Sequence, residues 1–265
     1  MNDIPTVYIG YDKKEDDAFE ILKESIIDTS SKPVRVIPLD QEILRRINLY
    51  RRSFHVQSTD NGSVKIDWQD NKPFSTEFSF TRFLIPFINN LQGLALFMDC
   101  DMMVRTDIME VFNHAMKEDK ALWCVKHNYN PSDDYKMDNQ VQTRYNRKNW
   151  SSFVLWNCEH EAHKNLTIDD VNLKSGYYLH NFQWLSDDLI GDIHEEWNWL
   201  DGHSPEEMEA KNVHFTTGGP WFPKWKPKRL VDAKYALEWT NFRDALTIEE
   251  VLGKTKTMRW NKTYE

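Results

Sequence analysis

The sequence predicts an α/β fold: a sheet rich in parallel strands, flanked by helices, with an aromatic-rich C-terminal portion. Three observations carry that expectation. A strand, an amphipathic helix and a second strand follow one another within the first forty residues, the order that builds parallel sheets. Apolar runs at 94–98 ("LALFM"), 121–125 ("ALWCV") and 151–157 ("SSFVLWN") supply further strands of the buried type. Nine of the eleven tryptophans stand at or after Trp150, which makes the second half the aromatic one.

In chain order, "TVYIGY" (6–11) is rich in β-branched and aromatic residues and reads as a short buried strand. Ala18, Phe19, Ile21, Leu22, Ser25 and Ile26 then recur at helical spacing. "VRVIPL" (34–39) is the second strand, and 50–72 is a polar excursion or hairpin. "STEFSFTRFLIPFI" (75–88) reads as a helix capped by Ser75 or Thr76, in which Pro86 marks a kink. "DIMEVFNHAM" (107–116) is helical. The polar, aromatic stretch 126–149 is expected to be a loop that orders over a bound ligand. Residues 159–200 read as mostly helical, 213–228 as a Gly/Pro-punctuated loop, and the tail from Lys234 as one helix and a basic end. The expected organisation is one domain over 1–230, with a helix and tail over 231–265 packing on it.

Composition narrows the function. The chain has 265 residues and a formal net charge of −9, a poor balance for sequence-independent nucleic-acid binding, which runs on Lys/Arg contacts to phosphate. An acidic protein that binds an anion such as a nucleotide needs local positive charge, and a metal ion is one source. Three scattered cysteines, Cys100, Cys124 and Cys158, form no C-x-x-C pair and suit a reducing compartment. The opening "MNDIPTVYIGYDKKEDD" has no signal-peptide pattern, and no apolar run approaches a membrane span. A soluble cytoplasmic protein without a transmembrane segment is the expectation.

The stretch "LALFMDCDMMV" (94–104) concentrates the chemistry. An apolar strand stops at Asp99 and Asp101, at the end where open parallel sheets bind ligands. Side chains at i and i+2 of an extended chain share a face, so both carboxylates can converge on one cation while Cys100 turns inward. Two such charges at the rim of a core are costly unless something neutralises them, and a hard divalent ion with oxygen ligands does so. The competing structural reading is a solvated turn and a helix cap, since Asp107 and a helix follow. One chemical alternative is a phosphatase of the haloacid dehalogenase type, using Asp-x-Asp as nucleophile and general acid. There the motif normally lies near the N-terminus, with Thr or Val where this chain has Met103. "DD" at 187–188 could mimic its acidic metal motif.

"FSFTRFLIPFINNLQGLALFMDCDMMVRTDIMEVF" (78–112) closely resembles the central signature of glycosyltransferase family 8, a GT-A group that includes glycogenin and lipooligosaccharide galactosyltransferases. The matching elements are Thr81-Arg82-Phe83 with Pro86, then Asp99-Cys100-Asp101, then Asp107-Ile108. "HFTTGGPW" (214–221) is similar to the family's C-terminal metal motif. The resemblance implies a GT-A mixed sheet and transfer of a hexose from a nucleotide sugar, UDP-glucose or UDP-galactose, to a hydroxyl acceptor. The acceptor would be a carbohydrate, a lipid-linked species or a protein. It further implies retention at the anomeric carbon and metal-assisted departure of the diphosphate. A sugar-binding module that kept the fold and lost the chemistry is the non-enzyme alternative; it would need neither Asp99 nor His214.

The resemblance assigns Asp99, Asp101 and His214 to the metal, Mn²⁺ in preference to Mg²⁺ because an imidazole ligand moves a site away from the hardest ions. It assigns Gly10, Tyr11 and Asp12 to the uracil and ribose, and Arg82 to the nucleotide or to bracing the Asp-x-Asp loop. Asp99 and Cys100 join the donor contacts. Gly218 and Gly219 would let backbone N–H groups approach a phosphate. Trp221 is either a stacking wall or core. Three departures stand out. The family's Lys before Pro-Trp is missing, leaving Lys224, Lys226 or Lys228 as sources of that charge. Its Asn-Ser/Ala-Gly aligns with Trp150-Ser151-Ser152, making Ser151 and Ser152 the donor-sugar candidates. Its Asp-Gln pair has no clean counterpart: His180 and Asn181 fit by spacing, Asp187 and Asp188 by chemistry.

Overall fold

The computed structural model describes residues 4–59, 62–115, 118–127 and 147–251. The chain opens with strand β1 (Thr6–Gly10), helix α1 (Asp16–Thr29) and strand β2 (Arg35–Leu39), as the sequence predicts. Asp12 accepts from Lys14 N to cap the short 3-10 turn that feeds α1, and Asp16 and Asp17 suit the positive end of the helix dipole. Ala18, Phe19, Leu22 and Ile26 are buried. Helix α2 (Gln41–Arg46) leads into a hairpin, β3 (Phe54–Thr59) with β4 (Gly62–Asp67), extended by β5 (Pro73–Phe74).

The helix expected over 75–88 does not form as one piece. Turns reach Phe80, a 3-10 turn covers Thr81–Leu84, and helix α3 (Ile85–Ile88) follows. Pro86 explains the break: it sits in the first turn of α3, where its missing N–H costs nothing, so it starts a helix instead of kinking one.

Next come β6 (Leu94–Met98), β7 (Met102–Val104), helix α4 (Met109–Ala115), β8 (Leu122–Cys124) and β9 (Phe153–Asn157). Asp107 Oδ1 accepts from Met109 N at the start of α4. The loop expected over 126–149 falls mainly outside the described residues. Residues 159–200, expected to be mostly helical, are only partly so. Helices α5 (Ile168–Leu173) and α6 (Gly176–His180) and several 3-10 turns alternate with strands β10 (Ile190–Asp192) and β11 (Trp199–Leu200). Short apolar runs such as "LIGD" are ambiguous in periodicity, and their pairing with β8 is a long-range decision. The loop expected over 213–228 begins inside strand β12 (Asn212–His214), and helix α7 spans Leu230–Val251.

The main sheet runs β10-β8-β9-β6-β1-β2. All its strands are parallel except β9, which runs antiparallel between β6 and β8. This is the expected mixed α/β sheet. Its central strands are apolar in their interiors: Val7, Ile9, Ala95, Leu96, Phe97 and Met98 are 0% exposed, as covering on both faces requires. A second sheet, β11-β12-β7, grows from the carboxyl end of β6. Helix α1 supports it, because Ser25 Oγ accepts from Val104 N at 3.1 Å. Trp199, Val213, Phe215, Trp225, Tyr235 and Trp239 form a separate cluster over that sheet, which seats α7.

The hairpin is fastened by a buried ion pair. Arg52 Nε and Nη2 donate to the two oxygens of Asp67, each at 2.7 Å, and Nη1 donates to the carbonyls of Val171 and Lys174. Both side chains are 1% exposed. Removing one partner of such a pair leaves a buried charge uncompensated. Asp67→Ala is therefore expected to lower unfolding free energy by about 3–5 kcal/mol, read from urea denaturation.

Candidate functional site

The site forms where β6 ends. After Met98 the chain bends through Asp99-Cys100-Asp101, with Asp99 N donating to the Ser152 carbonyl at 2.9 Å. It then enters β7, whose antiparallel partner β12 places His214 opposite Met102. Phe215 N donates to the Asp101 carbonyl at 2.8 Å and holds the next step of that register. His214 Nε2 thereby lies 3.2 Å from Asp101 Oδ1. Asp99, Asp101 and His214 each offer a ligating atom, and these atoms all lie within 4.8 Å of one another. Asp101 and His214 are buried, and the Asp99 side chain is 13% exposed. Two carboxylates and one imidazole converging at a strand end fit a divalent cation that takes oxygen and nitrogen ligands. Cys100 points away from them. Its side chain is fully buried and burial raises its thiol well above the usual range, so only its backbone can face a ligand.

Arg82 braces this bend. Its Nη1 lies 2.8 Å from Asp99 Oδ1 and donates to the Ser151 carbonyl at 2.8 Å, while Nε donates to the Phe78 carbonyl. Ser151 and Ser152 are buried beside it. Ser151 Oγ and His180 Nδ1 are 2.8 Å apart, and Ser152 Oγ donates to Asn149 O at 2.7 Å. His180 lies edge-on to Phe83; burial first, then the charges of Arg82, Lys148 and Arg52, hold its imidazole well below the usual range and hence neutral. Asn181 is buried next to it, its side chain donating to Tyr177 O. Asp187 and Asp188 sit elsewhere, exposed, in the 3-10 turn before β10 at the amino end of that strand. Asp187 pairs with Arg147 at 2.5 Å.

On the opposite flank, Gly10 ends β1 and Tyr11 follows it. Tyr11 donates to Asp16 at 2.8 Å, and that bond, with some burial, raises its phenol to about 12. Asp12 is 5% exposed, and its oxygens accept from Lys14 N and Glu77 N. Beyond His214 the chain turns through Thr216-Thr217-Gly218-Gly219. Gly218 takes φ 98°, which disfavours side chains, and a Cβ on Gly219 would overlap the Trp221 ring. Trp221 packs against Phe215 and Trp239, so its ring belongs to the C-terminal aromatic cluster. Lys224, Lys226 and Lys228 are exposed on the loop that follows.

Three further residues of this neighbourhood carry no local signal in the sequence. Asp201 is buried, and its carboxylate accepts from Thr216 Oγ1 (3.0 Å), Thr217 Oγ1 (2.7 Å) and Thr217 N (3.3 Å). Burial raises its pKa, and the threonine donors oppose the rise. Asn198, 0% exposed, faces His214 Nδ1 at 2.8 Å. His127 is buried at the carboxyl end of β8, and burial, then the proximity of His214, pushes its pKa down to about 4. The "WNWLDG" segment carries no periodic signal that marks Asn198 or Asp201 as polar residues turned inward.

No family model matches the chain. A curated relative does: Protein CDI of Arabidopsis thaliana is 42% identical over 241 residues, covering 89% of this chain and 84% of the relative. The chain belongs to the Protein CDI family. Its fold is also that of solved glycosyltransferases of the GT-A type. GlyE of Streptococcus pneumoniae TIGR4 superposes with a TM-score of 0.55 at 14% identity, covering 94% of this chain and 64% of that one. The galactosyltransferase LgtC, solved with donor and acceptor sugar analogues, superposes with a TM-score of 0.53 at 9% identity, over 91% and 95%. The bifunctional glycosyltransferase WbbM gives 0.53 at 12% identity, over 83% and 47%, so this chain spans about half of it. Family membership and the GT-A architecture thus rest on independent comparisons. Among the described residues, no helix is long and apolar enough to cross a membrane.

Asp201 is the anchor of the turn that follows His214. Asp201→Ala would strand its three donors, at about 1–3 kcal/mol for each left unsatisfied. Amide hydrogen exchange in a peptide spanning 213–222 is expected to accelerate markedly while exchange across 94–98 stays unchanged.

Proposed function

We propose that the chain is a glycosyltransferase, similar to family 8, that moves a hexose from a UDP-sugar to a hydroxyl acceptor. The observation that carries this reading is the convergence of Asp99, Asp101 and His214 at the carboxyl end of β6 in a GT-A sheet, the end where open α/β sheets take their ligands. The reading treats residues 1–230 as the catalytic domain, with 231–265 as its C-terminal helix and tail. Three buried free cysteines support a reducing, cytoplasmic setting.

Asp99, Asp101 and His214 hold the cation, Mn²⁺ by preference because one ligand is an imidazole. Bound there, a divalent ion supplies Lewis-acid neutralisation of the diphosphate. Arg82 keeps Asp99 and the Ser151 carbonyl in fixed relation, so the metal ligands and the donor-sugar segment cannot drift apart. Gly10, Tyr11 and Asp12 receive the nucleoside. Backbone N–H groups near Gly218 and Gly219 approach the phosphates, with the exposed lysines 224, 226 and 228 adding charge. Ser151 and Ser152 line the sugar side. In the transfer step the acceptor oxygen bonds to the anomeric carbon as the bond to the diphosphate oxygen breaks; that oxygen leaves with the electron pair and takes up the proton of the acceptor hydroxyl. Attack from the leaving-group face retains configuration. The direct route is favoured over a covalent intermediate because His180 and Asn181 are neutral and buried, while Asp187 and Asp188 are exposed outside this shell.

Isothermal calorimetry is expected to show UDP binding in the presence of Mn²⁺ and its loss in EDTA. Equal affinity in both would remove the metal from the donor site.

Without acceptor, slow hydrolysis of one UDP-hexose is expected, and Asp101→Asn should lower it about a hundred- to a thousandfold, the usual cost of one electrostatic contact to developing charge. Turnover of para-nitrophenyl phosphate that dies with Asp99→Asn, alongside inert UDP-sugars, would instead establish phosphatase chemistry.

A further inference from the structure

We infer that Asn198 decides which nitrogen of His214 is available to a cation, and that the same amide ties that ligand to the donor-sugar segment. The inference rests on the metal-site reading for its consequence, but its structural content stands on hydrogen bonds alone.

Asn198 ends the 3-10 turn Glu195–Asn198, directly before β11, and Leu200 of that strand pairs with His214 of β12. Its side-chain nitrogen donates to Ser152 Oγ at 3.0 Å and to Asn149 O at 3.3 Å. Its side-chain oxygen lies 2.8 Å from His214 Nδ1. The network fixes the orientation of the amide. The Asn149 carbonyl can only accept. The Ser152 hydroxyl already gives its hydrogen to that carbonyl and presents lone pairs to everything else. Both partners therefore demand a donor, and only the NH₂ end of Asn198 supplies one. The oxygen must then face the imidazole, and an oxygen facing a ring nitrogen at 2.8 Å requires hydrogen on that nitrogen.

A neutral imidazole carries one hydrogen. With Nδ1 protonated, Nε2 keeps its lone pair, and Nε2 is the atom 3.2 Å from Asp101 Oδ1. Two acceptors facing each other in a buried site repel unless a proton or a metal cation lies between them, and the two compete for the same lone pair. Asn198 thus prepares a cation site in advance of any ion. A partner on the far ring nitrogen is the usual device for orienting a metal-bound histidine. The other half of the amide reaches Asn149, which holds φ 64° immediately before Trp150–Ser152, so metal ligand and donor-sugar segment share one buried side chain.

The test is nuclear magnetic resonance of the full chain with ¹⁵N-labelled imidazoles, without metal or nucleotide, read on the neutral form of the ring. The His214 signals are identified by their loss in His214→Gln. The expected result is the Nδ1–H tautomer in the native protein. Asn198→Ala should shift the ring toward Nε2–H and weaken Mn²⁺ binding, measured by electron paramagnetic resonance without nucleotide, about ten- to a hundredfold. Asn198→Asp, which keeps an acceptor for Nδ1–H but loses the donors to Ser152 and Asn149, should retain the Nδ1–H tautomer. A native His214 carrying its proton on Nε2 overturns the inference without any variant. So does an alanine variant with unchanged tautomer and affinity. If Asn198→Ala does not fold, the native tautomer and the aspartate variant decide. A native protein that shows the Nδ1–H tautomer but binds no Mn²⁺ would sink the metal reading and leave the role of Asn198 in place.

Discussion

The antiparallel register that sets Met102 opposite His214 is the constraint on which the site depends. Side chains in a strand alternate, so a slip of one residue would turn His214 to the other face of the small sheet and place Phe215 beside Asp101. The register is held from several directions. Phe215 N bonds the Asp101 carbonyl, Ser25 of α1 accepts from Val104 N, and the parallel strand β11 lies along the far edge of β12. What begins as a bend at the end of β6 becomes a defined three-residue cluster because the next strand has only one good way to pair.

Charge is handled differently at each buried position, and the differences sort structure from chemistry. Arg52 and Asp67 cancel each other with matched forks and fasten a hairpin. Asp201 is satisfied by two hydroxyls and one N–H and fastens a turn. Asp99 and Asp101 stand together at a strand end, with Arg82 and His214 within reach. Among the described residues, this is the cluster of carboxylates and imidazole whose ligand atoms lie close enough to share one cation.

The aromatic second half supports this arrangement from behind. Trp199, Trp225, Tyr235 and Trp239 cover the small sheet, and Tyr235 Oη accepts from Ala210 N just before β12. Helix α7 is therefore a supporting wall for the strand that carries His214. Trp156 and Trp184 stack in the main core instead. Most of the tryptophan surplus is thus packing, in keeping with the apolar bulk of the indole ring.

The sequence by itself determined, to within two residues at the ends, the strands read at 6–11, 34–39, 94–98 and 151–157, together with helix α1, the mixed α/β class and the trio Asp99, Asp101 and His214. These are legible because apolar runs and helical spacing are local signals, and because the Asp-x-Asp and His-Gly-Pro-Trp patterns are compact. Only the tertiary structure decided the rest. It broke 75–88 at Pro86, paired β10 with β8 inside a segment that reads as helical, and separated exposed Asp187 and Asp188 from buried His180 and Asn181. It also turned Asn198 and Asp201 inward. A polar side chain is committed to the interior by partners that arrive from elsewhere in the chain, His214 and Ser152 for Asn198, Thr216 and Thr217 for Asp201. No periodicity within six residues of "WNWLDG" carries that information, because the hydrogen bonds that satisfy these groups exist only once β11, β12 and the turn at 149–152 have come together.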